Sequence, residues 1–144
     1  MAAVDDLFRE GGLLAKAIPG FNSRPPQLAM ARSVADTLEN RQMLVAEAGT
    51  GTGKTLAYLI PAILSEKKVV ISTATKTLQD QLFRKDLPTI RKALGIPFRA
   101  ALLKGRGNYV CLYRAQNHLG FRAGQGLRDA RIIEGIRRFA RTTL

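Results

Sequence analysis

Lys54 and Thr55 close a run with glycine at positions 49, 51 and 53, in the string "AEAGTGTGKT" of residues 46–55. Glycine lets a backbone wrap tightly, so that successive N–H groups converge on one anion. A lysine at the end of such a loop reaches a β- or γ-phosphate, and the hydroxyl beside it holds Mg²⁺. The chemistry is therefore nucleoside triphosphate binding. The backbone of Ala48, Gly49, Thr50, Gly51, Thr52 and Gly53 is the expected phosphate cradle, and Lys54 and Thr55 are the candidate catalytic side chains. In the G-x-x-x-x-G-K-S/T pattern the first position is Ala48 here, an alanine-tolerant form that the three glycines offset. The alternative reading of the string is an ordinary glycine-rich turn.

A phosphate loop needs a strand before it and a helix after it. "QMLVAEA" at 42–48 reads as a buried strand, and from Gly53 onward Leu56, Leu59, Ile60 and Ile63 recur on one helical side. Pro61 is expected to kink or shorten that helix. Upstream, "SRPPQLAMARSVADTLEN" reads as a helix with Pro25 or Pro26 in its first turn. "KVVISTA" at 68–74 is a second strand candidate and "TKTLQDQLFRKDL" a helix. Pro88 opens a shorter helix that Gly95 and Pro97 close. "FRAALLK" at 98–104 is a third strand candidate, and "LRDARIIEGIRRFARTTL" an amphipathic helix. Strands alternating with helices predict an α/β fold: a P-loop NTPase (RecA-like) parallel sheet with flanking helices, incomplete because three strands are few.

With 144 residues, 46% of them hydrophobic, the chain has enough apolar material for one domain. The net charge of +12 is unevenly placed: residues 1–72 carry 8 Lys+Arg against 7 Asp+Glu, and residues 73–144 carry 15 against 4. The basic second half suits a polyanion or, more plainly, a solvated surface. "MAAVDDLFRE" does not read as a signal peptide, no run approaches a membrane span, and the single cysteine forms no disulfide framework. A cytoplasmic location and no membrane partner are expected. Turnover needs a second acidic group at the end of another strand. Glu47 belongs to the loop's own strand, and Asp80, Asp86, Asp129 and Glu134 fall on expected helices or turns. None fills that role.

Four strings together resemble the superfamily 2 DNA helicases of the iron–sulfur, DinG/XPD type, nearest the DinG/YoaA group. They are "AIPGFNSRPPQLAMA", "VAEAGTGTGKTLAYLIPA", "VVISTATKTLQDQLFRKDLP" and "ALLKGRGNYVCL", spread over residues 17–115. The resemblance implies an ATP-dependent helicase moving 5′ to 3′ on single-stranded DNA, with ATP, Mg²⁺ and a 4Fe–4S cluster as cofactors and a family association with DNA repair. It places Gln27 on adenine, with Arg24 just ahead of it. Otherwise Gln27 is an exposed first-turn residue. It assigns Ser72, Thr73, Thr75 and Gln79 to the DNA backbone; "STAT" is equally a strand end with a helix cap. Lys104, Arg106 and the arginines from Arg114 to Arg141 would line the strand's path, with Tyr109, Tyr113 and Phe121 as stacking platforms or core residues. His118 has no assigned role.

In the family, "KGRGNYVC" carries the first of four cluster cysteines, which is Cys111 here; a lone cysteine is otherwise a small buried hydrophobe. The expected division is residues 1–104 as the first part of the ATP-binding motor domain and 105–144 as the start of the iron–sulfur region. One cysteine and no second acidic strand end lead to the expectation that the chain is the N-terminal piece of a longer helicase, inactive alone. A DEAD-box-like RNA helicase shares "GKTLAYLIPA" and an upstream glutamine. A binding protein without turnover is the third reading.

Overall fold

Two prolines begin the longest helix. The structure is a computed structural model that describes residues 2–111, 113, 114, 131, 134–136, 138 and 139. It divides into two units, Met1–Leu102 and Leu103–Leu144. The first contains α1 (Ala2–Phe8), α2 (Leu13–Ala17), α3 (Pro25–Asn40), α4 (Lys54–Leu64), α5 (Lys76–Gln81), a π-helical turn (Leu82–Asp86) and α6 (Leu87–Leu94). The second contains a 3₁₀ turn at Arg106–Asn108. Residues 131, 134–136, 138 and 139 are helical, while the rest of the expected helix at 127–144 lies outside the described residues.

Pro25 and Pro26 occupy the first turn of α3, where a missing N–H leaves no bond unmade. The helix ends at Arg41, whose backbone is left-handed (φ 54°) and whose N–H donates to the Thr37 carbonyl. α3 buries Gln27 and Ala31 and packs along α4, which buries Ala57, Leu59, Ile60 and Pro61. Ala31 and Ala57 are both fully buried, and alanine lets two helices approach closely. Phe8, Leu14, Leu59, Ile60 and Ile90 are the largest fully buried side chains, each contributing roughly 1.5–3 kcal/mol over exposure. Phe8 meets Phe21 edge-on, with ring centroids 6.2 Å apart. α1, α2 and α6 close the rest of this core.

The π-helical turn has a cause in the sequence. Pro88 has no N–H to give to the preceding turn, so α5 does not run into α6 with regular bonding. The ladder widens by one residue, and the Leu87 N–H donates to the Leu82 carbonyl. Pro61 acts more mildly than expected: α4 continues past it to Leu64, and the Ser65 N–H then donates to the Pro61 carbonyl at 2.9 Å.

The expected α/β fold is overturned: among the described residues there is no strand, and the regular structure is entirely helical. The segments 42–48, 68–74 and 98–104 take neither helix nor strand pairing. Met43 and Val45 are each 92% exposed and Val70 is 90% exposed, so these apolar runs are not buried strands. Composition gives only a local preference, whereas a strand is made by ladder bonds and cross-strand contacts with a partner. Here the burial is carried by helix faces. No helix among the described residues is long and apolar enough to cross a membrane.

Candidate nucleotide-binding site

The turn into α4 is built from glycine for a steric reason. Gly51 and Gly53 have φ of 77° and 80°, a region that side chains with a Cβ rarely adopt. At Gly53 there is no space either, because an added Cβ would lie 2.0 Å from Gln27 Nε2. Gly53 caps α4 without a side-chain bond, so the leading N–H groups and the positive end of the helix dipole are presented by backbone alone. Lys54 Nζ folds back over the loop and donates to the Ala48 carbonyl at 2.7 Å and the Gly49 carbonyl at 2.6 Å. Thr52 Oγ1 donates to the Gly49 carbonyl at 2.9 Å. Thr50 lies in the exposed bend of the same loop.

The start of α3 grips this loop from the other side. Arg24 donates through its guanidinium to the Gly51 carbonyl, and Gln27 Nε2 donates to the Gly53 carbonyl at 3.1 Å. Gln27 is only 4% exposed, and its Oε1 is buried with no hydrogen-bond partner. A buried acceptor left without a donor costs about 1–3 kcal/mol. Gln27 is therefore a buried contact to the loop, with one acceptor atom aimed at no protein donor; it is not an exposed first-turn residue.

Thr55 and Tyr58 lie three residues apart, on one face at the start of α4. Burial pushes the Tyr58 phenol above its ordinary value. Sequence reasoning missed Tyr58. The helical spacing from Thr55 was the available signal for Tyr58. The site thus gathers backbone N–H groups, one ammonium, one hydroxyl and one orphaned carboxamide oxygen. That donor and acceptor set fits a polyphosphate with its divalent cation and a base carrying an amine.

The polynucleotide candidates fall in both units, Ser72, Thr73, Thr75 and Gln79 in the first and Lys104 and Arg106 in the second. Thr75 caps α5, its hydroxyl accepting from the Leu78 N–H at 3.2 Å, and Thr73 Oγ1 donates to the Thr75 carbonyl at 3.2 Å. Ser72 is exposed and Gln79 half-buried on the same stretch. Of the strand end and helix cap expected in "STAT", the cap forms at Thr75 and the strand end does not. In the second unit the Lys104 N–H donates to the Tyr109 hydroxyl at 2.8 Å, and Arg106 opens the 3₁₀ turn on the surface. Tyr109 and Tyr113 are exposed and not core residues, and Arg114, Arg131 and Arg138 are exposed. Phe121, His118 and Asp129 lie outside the described residues. Cys111 is exposed and not a buried hydrophobe. The chain has one cysteine, and no group of three or more His, Cys, Asp or Glu among the described residues could hold a metal. A 4Fe–4S cluster requires four ligands, so the residues of this chain alone do not fit one.

The DEAD/DEAH box helicase family matches residues 27–107, more than half of the chain, including the whole of the loop and α4 and α3 from Gln27 onward. Among individual relatives, the chain is 59% identical over 111 residues to the ATP-dependent DNA helicase YoaA of Escherichia coli, covering 77% of this chain and 18% of the relative. It is 53% identical over 111 residues to YoaA of Haemophilus influenzae, covering 77% of this chain and 17% of the relative. It is 47% identical over 112 residues to the ATP-dependent helicase DinG of Mycobacterium tuberculosis, covering 72% of this chain and 17% of the relative. The chain therefore spans less than a fifth of the length of these relatives and is homologous to them over that span. On the family match across residues 27–107, the chain belongs to the DEAD/DEAH box helicases.

Proposed function

We propose that this chain is the ATP-binding segment of an ATP-dependent DNA helicase of the YoaA/DinG kind. The observation that carries the reading is the grip of α3 on the loop: Arg24 and Gln27 hold the Gly51 and Gly53 carbonyls while the Gln27 Oε1 stays buried and unpartnered. In this reading the backbone of residues 48–53 and the start of α4 receive the phosphates, Lys54 neutralises the β- and γ-phosphates, and Thr55 holds Mg²⁺. Gln27 Oε1 accepts from the adenine amine, a donor that the protein does not supply. When bound, ATP supplies the free energy for movement along single-stranded DNA, 5′ to 3′.

Ser72, Thr73, Thr75 and Gln79 bind the DNA backbone, with Lys104, Arg106 and the exposed second-unit arginines adding charge. In the second unit Cys111 would be one ligand of a 4Fe–4S cluster whose remaining ligands this chain does not contain. Repair of DNA is the process such a helicase serves.

A radiolabelled-ATP assay tests this directly. The 144-residue chain is expected to retain ATP with Mg²⁺ and to release no phosphate above background. Phosphate release that disappears in Lys54→Ala would show that the chain completes a catalytic site by itself, and no retention of ATP would remove the nucleotide assignment.

A further inference from the structure

Residues 81–99 hold five Lys and Arg against one Asp. They run through the π-helical turn and α6, and the apolar side of that stretch is already covered: Leu82, Ile90 and Ala93 are buried in the core, with Leu87 and Leu94 packed against it. The other side carries Lys85, Pro88, Thr89 and Lys92, all exposed. Thr89 Oγ1 donates to the Lys85 carbonyl at 2.7 Å, so these two stand one helical turn apart on the same line, and Lys92 follows about one turn later. The two lysines are therefore about 10 Å apart along the helix axis.

The nearby carboxylates are engaged elsewhere. Asp80 pairs with Arg84 at 3.7 Å, and Asp86 accepts from Gln81 Nε2 at 3.4 Å. Arg91 lies over the Phe98 ring, 4.7 Å from its centroid, and donates to the Phe98 carbonyl at 2.9 Å. Lys85 and Lys92 make no ion pair among the described residues. The outward side is thus a stripe of two unpaired ammonium groups.

The composition of the stripe selects among polyanions. A single strand is held by bases stacked on aromatic rings as well as by charge. A lipid surface takes in the apolar face of a helix. Between Gln79 and Leu102 no large apolar or aromatic side chain is exposed, so neither mode is open to it. A duplex keeps its bases inside and offers phosphates, one per about 3.4 Å of axis on each strand, so the two lysines span about three of them.

We infer that Lys85 and Lys92 form a docking stripe for the phosphate backbone of duplex DNA, held without regard to sequence. The inference rests on the reading of the chain as part of a DNA helicase, and it adds a contact for the duplex to the residues placed on the single strand.

Fluorescence anisotropy of the full chain with a labelled blunt-ended duplex, over a series of salt concentrations, tests it. The slope of log affinity against log salt should lessen by about 0.9 in Lys85→Gln or Lys92→Gln and by about 1.8 in the double variant, one phosphate contact each. Lys16→Gln, which removes an exposed charge from α2, should leave the slope as it was. The slope for labelled oligo-thymidine should not change in the double variant.

A duplex slope that is unchanged in the double variant overturns the inference. So does an equal change in Lys16→Gln, which would make net charge the cause, or an equal change with oligo-thymidine, which would make the stripe a general cationic surface. Binding to anionic vesicles that is lost in the double variant, with the duplex slope intact, would assign the stripe to a lipid surface instead. If the unmodified chain binds oligo-thymidine alone, the stripe fails and the helicase reading stands. If it binds neither DNA, both fail together.

Discussion

Gly53→Ala is expected to destabilise the chain by about 3 kcal/mol, as the sum of a left-handed residue at roughly 1–2 kcal/mol and a broken contact to Gln27 at about 1–1.5 kcal/mol. The φ of 80° is retained by the turn whatever residue occupies it, and the new Cβ falls 2.0 Å from Gln27 Nε2. Gln27 must then swing away, losing its bond to the Gly53 carbonyl and leaving a buried amide without an acceptor. Gly51→Ala is the matched comparison. Its φ is 77°, yet nothing lies within 4 Å of an added Cβ, so only the conformational term of roughly 1–2 kcal/mol applies. Urea denaturation of the two variants separates the terms. Equal losses would mean that the Gln27 contact contributes nothing.

Lys54→Ala is expected to weaken ATP binding by about 100-fold, from the loss of charge-assisted hydrogen bonds worth roughly 1.5–3 kcal/mol. In the ligand-free loop the ammonium is held by the Ala48 and Gly49 carbonyls at 2.7 and 2.6 Å, and a phosphate oxygen competes for it with a full negative charge. Lys54→Arg should recover little, because a planar fork does not replace a compact point charge inside a loop shaped around one. Calorimetric titration of ATP with Mg²⁺ reads both variants. Affinity unchanged in Lys54→Ala would place the phosphates elsewhere.

Much of this site was legible in the chain because its signals are local. The glycine spacing, the Lys-Thr pair and the apolar periodicity of α3 and α4 each depend on neighbours a few residues away. α1 and α2 carried a fainter version of the same signal, with Val4, Leu7 and Phe8 at helical spacing, but two short helices are held by packing and not by propensity. The strand expectation failed on the non-local step: "MLV" and "VVI" have strand composition, and nothing in a composition specifies a ladder partner. Gln27 shows the same limit at a single residue. Its type allowed both an exposed helix start and a nucleotide contact, and only the packing of α3 on the loop buried it at 4% exposure.

The central claim is that the loop into α4 and the start of α3 form one ATP site. The most direct measurement is a titration of ATP with Mg²⁺ followed at the backbone amides of the isotopically labelled chain. The account predicts that the largest shifts fall on residues 49–55 and on the Gln27 side-chain amide, while α5 and α6 change little. Shifts scattered over the basic surface with none in the loop would mean that ATP binds only as a polyanion, and the account would be wrong.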